Sequence, residues 1–425
     1  MLALGVDVGT GKVAVSLVAQ GGAQVHSAAA PHGAVTAAPA GHYEQDPVRI
    51  RACAEQLIAG LPADLRAQIG AIGFTGQMHG VVLHDIAARP LSPLITWQDR
   101  RTLEDPAFLP SLGRQLHAGY GMATLAWLAR HGALPAGARA ATIHGFLAAA
   151  WGGLERAPLD PTDAHAWGGL APLPGLAAEV LPTAVDHGQR CGSLTAAAAA
   201  TLGLRAGIPF AAPLGDNQAS MRATLADPAH QLAFTLGTGC QLAAIVPQGT
   251  AADVPGCEIR PFSDSHVALV AAPLAGGAAW LWLADTAAGW VRDLGLEPPP
   301  RDVLFARLDE LGRVAADNLT IRSHLAGERF APGLTGSIAG LTLERGRLGE
   351  VARALARGIA VTARDMLPRA AFAGRTQVVA SGNALRRSRL LRAMAEAEFG
   401  LPLVLVTCSE EAATGAALVA LPLMK

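Results

Sequence analysis

Apolar and polar positions alternate in blocks that change period along the chain. Leu2, Leu4, Val6 and Val8 alternate with Ala3, Gly5 and Asp7. After Gly9-Thr10-Gly11-Lys12, the residues Val13, Val15 and Leu17 alternate with Ala14 and Ser16. Alternation of this kind predicts strands, so the N-terminus reads as a strand pair closed by a glycine turn. The same layout returns at Leu232–Val246, where Gly237-Thr238-Gly239 separates two apolar runs. A repeat more than half a chain away suggests two similar domains, each opening on a glycine-tipped hairpin. Between them, Val48–Leu61 reads as a helix with Asp46 as cap and Pro47 in the first turn. "IGAIGFTGQ" reads as a buried strand, and Leu116–His131 and Ala140–Trp151 read as helices. Residues 29–47 read as loop with at most a third strand. "IPFAAPLGD" is a strand ending in an acid, and the domain join falls near residue 222. The expected domains are 1–222 and 223–425. In the second, Val303–Leu311 and Leu348–Leu367 read as helices. "TQVVAS" and "LPLVLV" read as strands, "ALRRSRLLRAMAEAEFG" as one helix and "EEAATGAALVAL" as a last helix. That last helix has a surface of alanine and glycine small enough for close approach. The whole is α/β.

A length of 425 residues exceeds one ordinary core and fits two domains. The formal net charge is −1 and no basic tract is interleaved with aromatics, so nothing points to nucleic acid or to an anionic membrane. The stretch from Val267 to Ala284 is uncharged, but Pro273 and Gly276-Gly277 divide it into strand, turn and core helix rather than a membrane span. No basic leader precedes the first strand, and the five cysteines form no C-x-x-C. A reducing, cytoplasmic setting follows as the expectation, with neither a disulfide framework nor a zinc site.

The Gly-Thr-Gly-Lys turn is not a nucleotide P-loop. Val6 stands where the first glycine would be, Val13 where a hydroxyl would meet magnesium, and a strand follows instead of a helix. Glycine turns still bring backbone amides close to an anion. Lys12 is one of only two lysines, and a solvated hairpin tip is the simpler reading for it. Four polar clusters stand at strand ends, where α/β folds place ligands. In "GQMHG", Gln77 and His79 could bind a polyol over an apolar Met78. In "TWQDRR", Trp97 could stack on a sugar, and Asp99 and Arg100 could bind hydroxyls or pair with each other. In "PLGDNQAS", Asp216 could accept the proton of an attacking hydroxyl or cap a helix. In "SGNALRRS", Gly382 and Asn383 could let a flat base lie on the backbone, or simply turn the chain.

Taken together, these residues resemble the FGGY carbohydrate kinases of the actin/hexokinase/Hsp70 superfamily, collinearly over essentially the whole chain. The resemblance rests on "DVGTGK", "TGQMHGVVL", "LITWQDRR", "GYGMATLAWL", "TIHGFLAAAWG", "DAHAWG", "PLGDNQAS", "LTIRSHLAGER", "SGNALRRS" and "EEAATGAALVAL". "GQMHGVV", "TWQD-R", "TIH", "AWG" and the "LT…GER" block tilt it towards the sedoheptulokinase branch. It implies two actin/hexokinase-like (ribonuclease H-like) domains with an ATP and sugar cleft between them, which close on their ligands. The implied activity is ATP-dependent phosphorylation of sedoheptulose; xylulose or another ketose or polyol stays open, as does an ATP-gated binding protein in the manner of actin. The implied catalytic base is Asp216. The sugar would meet Gln77, Met78, His79, Trp97, Asp99 and Asn217. The first phosphate hairpin would be Asp7, Gly9 and Thr10, the second Gly237, Thr238 and Gly239. Adenosine would touch Gly382, Asn383 and Ala384, and Asp7 and Asp216 would hold Mg2+. A small sugar is the expected partner, and a homodimer stays open. Gly11-Lys12 departs from the hydroxyl pair usual in that family, and Cys240 stands where a small or hydroxylated residue is common.

Overall fold

A computed structural model describes residues 1–250 and 254–424. The chain forms two compact units, one of Met1–Ala223 with the C-terminal residues from Cys408, the other Thr224–Thr407. By packing, the last helix, Glu411–Ala420, sits with the first unit, whereas the expected division after residue 222 placed it in the second.

The first unit is built on a mixed sheet in the order Arg190–Ser193, Pro209–Ala211, Ile69–Gly76, Leu2–Val8, Lys12–Ala19, Gln24–Pro31. The last three are antiparallel neighbours, and Leu2–Val8 runs parallel to Ile69–Gly76. Gln24–Pro31 is a full third strand, longer than the expectation. It is an edge strand of mostly small, half-exposed residues, so its alternation carries little apolar signal. The helix Pro47–Ala59 starts as expected, with Asp46 accepting from the amides of Val48 and Arg49. It buries Ile50, Ala54 and Ile58 against the sheet, in one core with Phe74, Trp151 and Phe210.

The C-terminal helix lies across the same sheet because two strands offer it bare backbone. A Cβ on Gly5 would stand 1.8 Å from the carbonyl oxygen of Ala413, and one on Gly73 2.0 Å from that of Ala416. In turn, a Cβ on Gly415 would stand 1.7 Å from the carbonyl oxygen of Ala219. The small helix surface expected from "EEAATGAALVAL" is thus matched by glycines on the elements it touches. Hydrophobic patterning reveals such a surface but not which sheet receives it.

The second unit repeats the plan. Its sheet runs Cys257–Ser263, His266–Ala271, Cys240–Pro247, Gln231–Leu236, Gln377–Ser381, Leu403–Leu405. Gln231–Leu236 pairs antiparallel with the strand after its hairpin and parallel with Gln377–Ser381, as Leu2–Val8 does in the first unit. The uncharged stretch after Val267 is a strand, a turn and the helix Gly277–Asp293, which buries Trp280, Leu283 and Ala287. Among the described residues no helix is long and apolar enough to cross a membrane. The expected single helix after Asn383 is two, Asn383–Arg387 and Arg389–Phe399. Ser388 breaks it in extended conformation, capping the second helix at Leu391 and donating to Asp309.

Candidate active site

Strand register assembles the acidic centre of the first unit. Thr75 pairs with Asp7 on one side and with Leu214 on the other, and its hydroxyl donates to the Leu214 carbonyl at 2.8 Å. All three strands are parallel here, so their carboxyl ends coincide. Asp7 stands one residue before the end of its strand, and Asp216 opens the helix Asp216–Thr224 directly after Leu214–Gly215. Oδ1 of Asp7 is buried and has no hydrogen-bond partner in the protein. Burial, followed by the charge of Asp216, pushes the Asp7 carboxyl up to about 7; His144 and Lys12 pull the other way. Such a carboxyl, near a second acid and with one oxygen unclaimed, suits a cation ligand. Among the described residues no three His, Cys, Asp or Glu side chains are grouped to hold a metal by themselves. Magnesium sites built from one or two carboxylates and substrate phosphates do not need such a group.

Gly215 makes the floor. A Cβ there would meet Met78 Cε at 2.8 Å and Gln218 Oε1 at 2.9 Å. Its amide is held by the hydroxyl of Thr162, on a helix capped by the buried Asp160. That same helix, Pro161–Ala166, carries Asp163 to a fully buried pair with His144 Nε2 at 2.5 Å. Burial opposes the charge on His144, but Asp163, through its charge and hydrogen bond, then Asp216 and Asp7, together hold its pKa above the usual value. His144 lies in "TIH", a stretch that carries the family resemblance but no local signal for this pairing.

The sugar-pocket candidates of the first unit divide into two groups. Gln77 and Met78 are buried at the end of Ile69–Gly76. Oε1 of Gln77 is buried without a partner, while its Nε2 donates to Gln45 Oε1 at 2.9 Å. His79 has a left-handed backbone (φ 75°), stacks on Tyr120 at 4.7 Å and bonds through Nδ1 to the carbonyl of Ala166. Trp97 is 41% exposed, and its indole N–H donates to the Thr10 hydroxyl at 3.1 Å. Asp99 belongs to a brace instead. It is 1% exposed and takes a two-point grip from Arg101 (2.8 and 2.9 Å) and a bond from the amide of Tyr43. Its partner is Arg101, not the Arg100 considered from sequence, and Arg101 also reaches Glu44 at 2.5 Å. Lys12 is not simply solvated: it pairs with Glu410 at 2.6 Å.

In the second unit the hairpin Gly237–Gly239 rests on a helix N-terminus. The amides of Gly277 and Ala278 donate to the carbonyls of Gly237 and Thr238 at 3.0 and 2.9 Å. A Cβ on Gly277 would stand 2.0 Å from Gly237 O, and one on Gly276 2.4 Å from Gly239 O, so only glycine permits this approach. Gly382 has φ 97° and lies against Leu236, at the base of the same hairpin. Asn383 and Ala384 then open a short helix, so the expected phosphate and adenosine residues of this unit adjoin one another. Cys240 is buried behind them, its thiol pushed well up by burial.

Comparison with known families matches both parts of the chain. Residues 2–134 match the N-terminal domain of the FGGY family of carbohydrate kinases, and residues 232–423 match its C-terminal domain. The chain belongs to the FGGY family of carbohydrate kinases. It is 29% identical to human sedoheptulokinase, over 99% of this chain and 97% of that protein. Among solved structures it is similar to a xyloylose (xylulose) kinase of Brucella ovis, with TM-score 0.79 and 26% identity, covering 100% of this chain and 90% of that one. The xylulose kinase of Rhodospirillum rubrum has the same fold, with TM-score 0.81 and 23% identity over 99% and 89% of the two chains.

Proposed function

We propose that this carbohydrate kinase transfers the γ-phosphoryl group of ATP to the terminal hydroxyl of sedoheptulose, giving sedoheptulose 7-phosphate. The observation that carries the reading is the pair of acids Asp7 and Asp216, close enough for the charge of one to raise the other, with Gln77 Oε1 buried and unfilled just after the strand that lies between theirs. The choice of sugar rests on the near full-length similarity to human sedoheptulokinase.

Asp216 is the base: it orients the attacking hydroxyl and accepts its proton as the bond to phosphorus forms. Phosphoryl transfer has a loose transition state, so aim and charge neutralisation supply most of the acceleration. Gln77 accepts from a sugar hydroxyl, Met78 supports an apolar face, Asn217 adds a polar contact beside Asp216, and Trp97 covers the ring. His79, held by Tyr120 and Ala166, stands in the wall of the sugar pocket. Asp99 contributes by bracing this wall through Arg101. Asp7 and Asp216 would hold Mg2+, which when bound supplies positive charge against the phosphate oxygens. The amides of Gly9 and Thr10, with those of Gly237, Thr238 and Gly239, would hold phosphate, and Gly382, Asn383 and Ala384 the adenosine. Turning the second hairpin's carbonyls to the helix start leaves its N–H groups directed away from that helix.

The test is ADP release with ATP and magnesium across sedoheptulose, xylulose, ribulose, fructose, glycerol and no sugar. The highest kcat/KM with sedoheptulose supports the reading. A preference for xylulose, the sugar named by the Brucella ovis kinase, keeps the chemistry and changes the substrate. Release indifferent to every sugar overturns it in favour of a nucleotide-gated binding protein.

A further inference from the structure

Three buried or half-buried polar groups join the sugar-pocket candidates to the first phosphate hairpin. Gln77 Nε2 donates to Gln45 Oε1 at 2.9 Å, and Gln45 Nε2 donates to the carbonyl of Thr10 at 2.7 Å. The two amides run head to tail, so both dipoles point the same way. At one end Gln77 Oε1 is buried and unpartnered. At the other, the Thr10 carbonyl shares its peptide group with the N–H of Gly11, in the tip of the hairpin. Thr10 is held a second time through its hydroxyl, by the Trp97 indole at 3.1 Å.

Gln45 is 2% exposed and sits on a two-residue strand, Glu44–Gln45, paired with Leu94–Ile95. The Asp99–Arg101–Glu44 brace fixes that strand from the side. An amide bridging two ligand-facing groups from a rigid, braced strand is built to keep their separation constant.

We propose that Gln45 is a positioning residue that couples sugar binding to nucleotide binding, through the chain Gln77–Gln45–Thr10. The proposal rests on the sugar and phosphate assignments above. A sugar hydroxyl donating to Gln77 Oε1 polarises each amide in turn, because hydrogen bonds in series strengthen one another in a dry interior. The polarised Thr10 carbonyl makes the Gly11 N–H a better donor to phosphate, and the occupied chain holds the hairpin in one geometry. Coupling is reciprocal, so nucleotide tightens sugar by the same factor.

Calorimetry on the full chain tests this, titrating MgADP with and without saturating amounts of the sugar that gives the highest kcat/KM. Sugar is expected to tighten MgADP about fivefold in the wild type, at the low end of typical coupling. Gln45→Glu keeps an acceptor for Gln77 and, with its carboxyl ionised, removes the donor to Thr10, so it is titrated across about pH 6–9 to separate it from the protonated acid, which would still donate. The ionised variant should retain sugar affinity within about twofold in the absence of nucleotide, while the coupling factor falls to about one whichever ligand is titrated. Gln45→Met, close in shape and without either bond, should lose the coupling too and serves if the glutamate variant does not fold. Coupling preserved in folded Gln45→Met overturns the proposal. So does a wild type whose ADP release is sugar-dependent but whose MgADP affinity ignores sugar, and that result leaves the kinase reading standing. Absence of sugar-dependent ADP release removes the kinase reading, and the proposal with it.

Discussion

Replacing Asp7 by asparagine should make the ligand-free protein more stable while disabling it. The carboxyl is pushed from its usual 3.8 to about 7 by burial and by Asp216. Folding thus disfavours its ionised form, by about 4 kcal/mol at most on the conversion of 1.36 kcal/mol per pKa step. Side-chain relaxation and water entry take up part of this, so about 2 kcal/mol of recovered stability is the expectation. The sign follows from linkage. The native state keeps its proton up to about pH 7, whereas the unfolded chain loses it near 3.8. The penalty therefore grows as pH rises between those values and is complete above about 7. Asp7→Asn should raise Tm by about 4–8 °C at pH 8, using the scaling for units of 150–250 residues. By pH 5 the gain should shrink to about two-fifths, by pH 4 to about an eighth, and near pH 3 it should vanish. Differential scanning calorimetry at those pH values, without nucleotide or metal, reads it directly. A Tm at pH 8 that is unchanged or lower, or a gain that does not depend on pH, would refute the account of Asp7 as a strained carboxylate.

Asp216→Asn should lower kcat by about a thousandfold or more, as expected for loss of a positioned base together with a metal contact. Sugar and MgATP binding by calorimetry should persist in that variant, and full activity would remove Asp216 from the base role. Gly5→Ala places a methyl group 1.8 Å from the Ala413 carbonyl, so chemical denaturation should show a loss of more than about 3 kcal/mol in the first unit. Arg101→Met strands the buried Asp99, and urea unfolding should show a cost of about 3–5 kcal/mol. In the same variant KM for sugar should rise more than kcat falls, because the brace carries the pocket wall and not the reacting atoms.

The acidic centre was legible because it obeys local rules. Asp7 precedes a glycine-tipped turn and Asp216 follows a glycine between a strand and a helix, and both features show in a few adjacent residues. The duplication was legible from two such hairpins, and the sheet orders bear it out. Gln45 was not legible. It lies in a stretch without periodicity, on a strand two residues long that exists only because Leu94–Ile95 pairs with it. His144 and Asp163 are 19 residues apart, and only the packing of two helices joins them. The helix Glu411–Ala420 announced its small surface but not its destination, which depends on Gly5 and Gly73, hundreds of residues earlier.

The duplicated hairpins share a plan and differ in charge, with Asp7 and Lys12 in the first where the second has Thr235 and Cys240. Two residues before the first glycine, the first unit has Asp7 and the second has Thr235. Their partners on the parallel strand correspond as well: Thr75 faces Asp7, and Ser381 faces Thr235. In the second unit the pair is two hydroxyls bonded to each other at 2.8 Å, with no charge to repel phosphate. In the first unit the pair includes a carboxylate, which repels phosphate unless a cation stands between them. A neutral hairpin propped on a helix N-terminus suits direct contact with a nucleotide. An acidic hairpin next to a second acid suits contact through magnesium. The aspartate of the first hairpin, against a threonine at the same place in the second, thus supports the proposal that the metal is held by the first unit, with phosphate meeting the backbone amides of both hairpins.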